Sequence, residues 1–317
     1  MLDAVARLAA PLALTGALLA ACATAPGPMT DDTMAADDCD RACLHAVVEL
    51  YLDALVANDP SEAPFASDVR FTEDGVDRAL GEGFWASATG LRDLRLEVLD
   101  PSLDTAIGLA VMDEAEGIVL HAFRLKVEAD AITELETLVV QPRGENAFVN
   151  LETLAEPRFE MTFTPAPEHL ESREETIRIA QFYPDGLKAG SFEEVDAPFP
   201  AGATRMENGM ILAGPRCTFN ETCQNMKTQP SPTRPTLQQR LLAVDEETGV
   251  AFYWLAWLQS GTGNWLAVWE AFKVYDGQLH AVEAFLEQMD PDVGPGWPVE
   301  SADDLIPFAE AAAAVTP

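Results

Sequence analysis

The sequence predicts an α+β protein made of two copies of one unit, each a long helix followed by antiparallel strands. Three observations carry this. A helix-periodic segment is followed by segments with strand character and no interleaved helices, which excludes a doubly wound parallel sheet. The same order recurs in the second half with matching short motifs. The length of 317 residues exceeds one ordinary domain of about 150.

Charge narrows the function classes. Nineteen basic residues face 53 acidic ones, a net charge of −34. A non-specific nucleic-acid binder is excluded, because such a surface would release no counterions from phosphates. Adsorption to anionic lipid is disfavoured for the same reason. A hydrophobic fraction of 48 % is that of a globular chain.

The elements follow in order. Residues 8–21, LAAPLALTGALLAA, are apolar over a stretch too short for a membrane span of about 20 residues but suited to the core of a signal peptide. The stretch ends at Leu19-Ala20-Ala21-Cys22, which resembles the bacterial lipobox. The expectation is a lipoprotein signal peptide over 1–21, lipidation of Cys22, and an acidic tether over 22–38. That implies a cell-envelope protein on the outer membrane facing the periplasm, touching membrane only through its lipid anchor. A secretory signal cut elsewhere is the alternative. Cys39, Cys43, Cys217 and Cys223 remain, an even number that in an exported chain predicts two disulfides. Three pairings are open. A four-cysteine zinc site is disfavoured by the five residues between Cys217 and Cys223, so no metal is expected.

From Leu44 the apolar positions Leu44, Val47, Val48, Tyr51 and Leu55 mark one helical face. Asp38 or Asp40 can cap its start, and Asn58-Asp59-Pro60 stops it. Strand-like runs follow at Asp68–Glu73, Leu94–Leu99, Thr105–Met112, Ile118–Val127 and Ile132–Val140, separated by turn signals. The second half repeats the motifs. Tyr51-Leu52-Asp53-Ala54-Leu55 is echoed by Tyr183-Pro184-Asp185-Gly186-Leu187, and Glu73-Asp74-Gly75 by Glu207-Asn208-Gly209. Leu125-Lys126-Val127, Ile132 and Glu136 match Phe272-Lys273-Val274, Leu279 and Glu283. Pro184 is expected to break or kink the second helix. The reading is a first domain over 39–142, a connector over 143–170, a second domain over 171–290 and a tail over 291–317 with one short helix within 303–314.

CDRACL, YLDALVANDP, RFTEDG, LGEGFW and RLKVEADAITELETLV in the first half, with FVNLETLAEPRFE, SREETIRIAQFYPDGL and Gly296-Trp297 later, resemble an exported bacterial and fungal family of unknown function with tandem SnoaL-like, or nuclear-transport-factor-2-like, domains. The resemblance implies two cone-shaped domains packed as an intramolecular pseudo-dimer, each a helix on a curved antiparallel sheet with an apolar pocket between them. It implies no agreed chemistry, because relatives on this fold include cyclases, isomerases, dehydratases, lyases and plain ligand binders.

Site candidates are the polar groups that could face such a pocket. Tyr51 lies on the apolar helix face, whereas Asp53 is turned to solvent. Strand alternation places Ile132, Glu134, Glu136 and Leu138 on one face, with Arg124 opposite. Tyr51, Arg124 and Glu136 are therefore the candidate catalytic residues, and Glu134, Trp254 and Glu283 candidate pocket residues. Trp257, Trp265 and Trp269 read as core or as pocket lining, and His121 and His280 as structural. No cofactor motif is present. The expected function is a cofactor-free lyase, isomerase or dehydratase acting on a hydrophobic aromatic or polyketide-like small molecule, with a non-catalytic small-molecule-binding or interaction module as the alternative.

Overall fold

The computed structural model describes residues 39–142, 148–259, 262–290 and 292–298. The lipobox with Cys22, the tether and the helix expected within 303–314 lie outside the described residues. Among the described residues no helix is long and apolar enough to cross a membrane.

The first unit is α1 (Arg41–Ala57), the hairpin β1 (Phe65–Glu73) and β2 (Val76–Arg78), and the meander β3 (Ala88–Asp100), β4 (Thr105–Glu114), β5 (Gly117–Glu128) and β6 (Ala131–Val140). The connector holds the single-turn helix α2 (Phe159–Thr162). The second unit is α3 (Arg173–Ala189), the hairpin β7 (Thr204–Glu207) and β8 (Met210–Ala213), then β9 (Gln238–Asp245), β10 (Val250–Leu258), β11 (Trp265–Tyr275) and β12 (Gln278–Met289). The two sheets have identical orders, β2-β1-β6-β5-β4-β3 and β8-β7-β12-β11-β10-β9. The chain is thus an α+β cone built twice.

Local chemistry sets the elements. The Asp40 side chain caps α1 by accepting from the Cys43 N–H, and Asn58 closes it in the left-handed region. The turns Asp74-Gly75 and Asn208-Gly209 both carry positive φ at two successive positions, the twist that joins tight hairpins. The meanders are antiparallel as expected, but β1 pairs with β6, and β7 with β12, in parallel. Short β-like segments ahead of the meander give no sequence sign of which edge they join. Helix α3 runs unbroken through Pro184, contrary to the expected break. The ring forfeits only the bond to the Ala180 carbonyl, and the buried face around Tyr183, Pro184 and Leu187 holds the turn together.

Both disulfides are local, Cys39–Cys43 and Cys217–Cys223. Loops this short stabilise little beyond their own turns.

Three cores form. Two lie between a helix and the concave side of its own sheet. The third lies between the two sheets, where Leu96, Ile107, Leu109 and Leu138 meet Phe252, Trp254, Trp269 and Phe285. The chain is therefore an intramolecular pseudo-dimer. A reciprocal pair of ion pairs crosses the seam. Arg41, first residue of α1, donates to Asp245 Oδ1 at the end of β9 at 2.6 Å. Arg173, first residue of α3, donates to Asp100 Oδ2 at the end of β3 at 2.7 Å. Each aspartate also accepts from the backbone of the other domain: Asp100 from Val244 N–H at 2.7 Å, and Asp245 from Leu99 N–H at 3.3 Å.

Candidate functional site

The two faces of each sheet decide which polar groups can meet. A bulge interrupts the β5–β6 register between Lys126 and Val127. It turns Ile132 into the helix–sheet core while Glu134, Glu136 and Leu138 face the other sheet. The face that alternation assigned to Ile132 and Glu136 together is thereby split. Tyr51 points into the first cone, whereas Arg124 and Glu136 lie on the opposite face, so the three do not converge. Arg124 donates to Glu136 Oε2 at 3.1 Å and to Glu134 Oε2 at 2.8 Å. Arg240 of the second domain donates to the other Glu136 oxygen. Arg70 and Arg124 flank the ring of Trp297, at 3.9 and 4.8 Å from its centroid, and the Trp297 Nε1–H donates to Thr72 Oγ1 at 2.7 Å. This cluster clamps the tail and the seam.

Trp254 and Glu283 also leave the pocket assignment. Trp254 sits in the seam under Arg240. Glu283 is buried against Arg158 of the connector, whose Nε donates to it at 2.7 Å. Glu136 and Glu283 do occupy equivalent places, each answered by an arginine brought from elsewhere in the chain.

Inside the first cone the Tyr51 hydroxyl and His121 Nε2 are hydrogen-bonded at 2.8 Å. Trp85, Phe123 and Phe84 pack around them. Burial pushes His121 down to about 3 and the Tyr51 phenol well above its usual value. Both stay neutral across the physiological range. The Glu73 carboxylate accepts from the Phe84 N–H at 2.8 Å. This interior is aromatic and closely packed.

The second cone differs. Tyr183 takes the position of Tyr51 and Glu207 that of Glu73, but two charged groups replace aromatics. Arg205 on β7 stands where Phe71 stands in β1, and Glu270 on β11 where Phe123 stands in β5. The Arg205 Nη1 donates to the Tyr183 hydroxyl at 3.3 Å, its Nη2 to Gln229 Oε1 at 3.2 Å, and its Nε lies 3.3 Å from Glu207 Oε1. Glu270 is 2 % exposed. Burial pushes its carboxyl up to about 8. Glu207 adds to that push, while Arg205, the Tyr183 hydroxyl and Arg234 oppose it. The Tyr183 phenol is raised well above its usual value by burial and stays protonated. Tyr183 rests against Phe192 and Phe272 at 5.2 and 4.9 Å between centroids. Gly186 makes room for this, because a Cβ there would lie 2.2 Å from the Phe192 ring. Arg234, from the loop before β9, covers Trp257 at 4.9 Å. Arg205, Glu207, Arg234 and Trp257 are half-buried, so the cluster reaches solvent.

The arrangement places a protonated carboxyl, an ion-paired carboxylate, a phenol donor and two guanidinium groups in one interior. Glu270 was legible as the single acid in the apolar run WLAVWEAFKVY. Arg234 lies in the loop SPTRPT, whose composition says nothing of where it folds. Among the described residues, His45, Glu49 and Glu97 bring ligand atoms within 4.8 Å of one another beside a cleft of about 690 Å³. Arg95 already neutralises both glutamates there.

A family model described as a Domain of unknown function (DUF8021) matches residues 37–139 and again 169–286. Among solved structures, a protein of unknown function with a cystatin-like fold from Methylobium petroleophilum PM1 is 13 % identical, with a TM-score of 0.29, covering 41 % of this chain and 99 % of its own. A protein of Kribbella flavida DSM 17836, provisionally designated a ketosteroid isomerase, is 14 % identical, with a TM-score of 0.25, covering 34 % of this chain and 89 % of its own. No curated protein matches the chain. With both matches falling on the two cones and spanning more than half of the sequence, the chain belongs to the DUF8021 family and carries its domain twice.

Proposed function

We propose that the protein binds a small organic molecule in the second cone and performs cofactor-independent proton transfer on it, of the dehydration or isomerisation class. The observation that carries this is the pair Glu270 and Glu207 beside Tyr183. Two carboxyl groups whose environments hold one protonated and the other ion-paired are suited to act as acid and base. Glu270 gives its proton to a departing hydroxyl or to carbon. Glu207 accepts the proton that the substrate loses, and Arg205 positions it. Tyr183, polarised by Arg205, donates a hydrogen bond to an oxygen that gains charge. The first cone, whose His121 is held neutral, serves as the structural partner.

The test is turnover of a mixture of hydroxylated and carbonyl-bearing aromatic compounds, followed by mass and by deuterium uptake from D2O. Activity should fall as pH rises through about 8, when Glu270 loses its proton. Glu270→Gln should reduce kcat by about 100-fold or more. A flat pH profile with full activity in Glu270→Gln overturns the assignment. Bound compound without turnover favours the binding module.

The sequence further supports an envelope lipoprotein anchored at Cys22. Wild-type protein should fractionate with membranes and Cys22→Ser should not. Equal partition of both removes this part of the proposal.

A further inference from the structure

The second cone contains an uneven charge tally that the acid–base roles do not use. Arg205 and Arg234 each bring one positive charge. Glu207 brings one negative charge, and Glu270 is uncharged at neutral pH, so the cluster is left one positive charge in excess. This local surplus runs against the composition of the whole chain, whose 53 acids outnumber 19 bases. A half-buried surplus cation in so acidic a protein is a place that attracts an anion.

Among the described residues, Arg234 is the guanidinium group of this cluster without an ion-pair contact. Arg205 has Glu207, Tyr183 and Gln229 within reach. The Arg234 Nη1 donates only to the Pro232 carbonyl beside it. Its Nε is buried and finds no acceptor among the described residues, and the Nε of Arg205 makes no hydrogen bond there either. The guanidinium lies over the Trp257 ring, which fixes its plane. Its charge is felt by Tyr183, Glu207 and Glu270 alike, so it faces the same interior.

We propose that Arg234 is the anion receptor of this site, and that the molecule bound there is a flat, preferably aromatic, carboxylic acid whose carboxylate sits on Arg234 beside Trp257. A planar guanidinium fork suits a two-oxygen anion better than a point charge would. Trp257, half-exposed beside the guanidinium, offers an aromatic surface to a ring. This rests on the second cone being the ligand site, but not on any turnover there.

The test is titration of the purified chain with benzoate and with its neutral counterparts benzamide and benzyl alcohol, read by tryptophan fluorescence and calorimetry. Benzoate should bind saturably, at least 10-fold more tightly than either neutral compound. Arg234→Gln should weaken benzoate at least 10-fold and leave benzamide unchanged, while Arg234→Lys retains part of the preference. A circular-dichroism melt confirms that each variant is folded. Equal binding of benzoate and benzamide, an unaffected Arg234→Gln variant, or no binding by any probe overturns the inference. Arg234-dependent benzoate binding in a protein that turns over no compound leaves the receptor standing and removes the proton-transfer reading alone.

Discussion

Asp74 and Asn208 occupy the same turn in the two copies, and the difference between them is an experiment the chain has already set up. The Asp74 carboxylate accepts from the Val139 N–H at 2.9 Å. Asn208 accepts from the Leu286 N–H at 2.9 Å and also donates to the Leu286 carbonyl at 2.8 Å. Burial pushes Asp74 up to about 7. The folded protein therefore holds a proton that the unfolded chain releases from about pH 4, and stability declines as pH rises from there to about 7. Asparagine removes that charge, tolerates the positive φ and supplies the missing donor. Asp74→Asn is expected to raise stability by about 1–2 kcal/mol at pH 8, with the gain shrinking toward pH 4, as measured by urea unfolding at the two pH values. A loss of stability at pH 8 would mean that the carboxylate is needed as such. Glu270 carries the same sign in the second cone, where the proposed role belongs to the protonated form.

The element scale explains what the sequence could and could not reveal. The caps of α1, the tight turns and the repeat are local, so residues such as Asp40, Asn58 and Asp74-Gly75 announced them. Tyr51 was placed inward by helical spacing alone, and Tyr183 matches it through the repeated motif. The face of Glu136 was misassigned because one bulge after Lys126 reverses alternation, and no residue type marks that bulge. The partners of Arg41, Arg124, Arg158 and Arg173 lie 204, 12, 125 and 73 residues away. Only Arg124 has its partner on the next strand, within reach of pattern reasoning. The crossing pairs themselves are testable. Asp100 is fully buried, and Arg173 answers it with about a quarter of its side chain exposed. Arg173→Met should cost about 2 kcal/mol, below the usual loss for a fully buried pair because solvent screens part of it. A change under about 0.5 kcal/mol in urea unfolding would mean that the backbone N–H groups alone hold Asp100.

On the scale of the whole molecule, the two copies share a plan and differ in their interiors. The seam between the sheets consumes the outer faces of both copies, including Trp254, Trp269, Glu136 and Glu283, and leaves each concave interior to evolve separately. The first interior has filled with Trp85, Phe84 and Phe123 around a neutral Tyr51–His121 pair. The second has the equivalent tyrosine and glutamate and carries Arg205 and Glu270 where the first carries Phe71 and Phe123. On the proposed function, one copy stabilises and the other carries the chemistry. The most direct measurement is a crystal structure of the protein with bound 4-bromobenzoate, its bromine located by anomalous scattering. The account predicts one site, inside the second cone, with the carboxylate on Arg234 and the ring between Trp257 and Tyr183. Bromine in the first cone, in the seam beside Trp254, or only on the outer surface would contradict it.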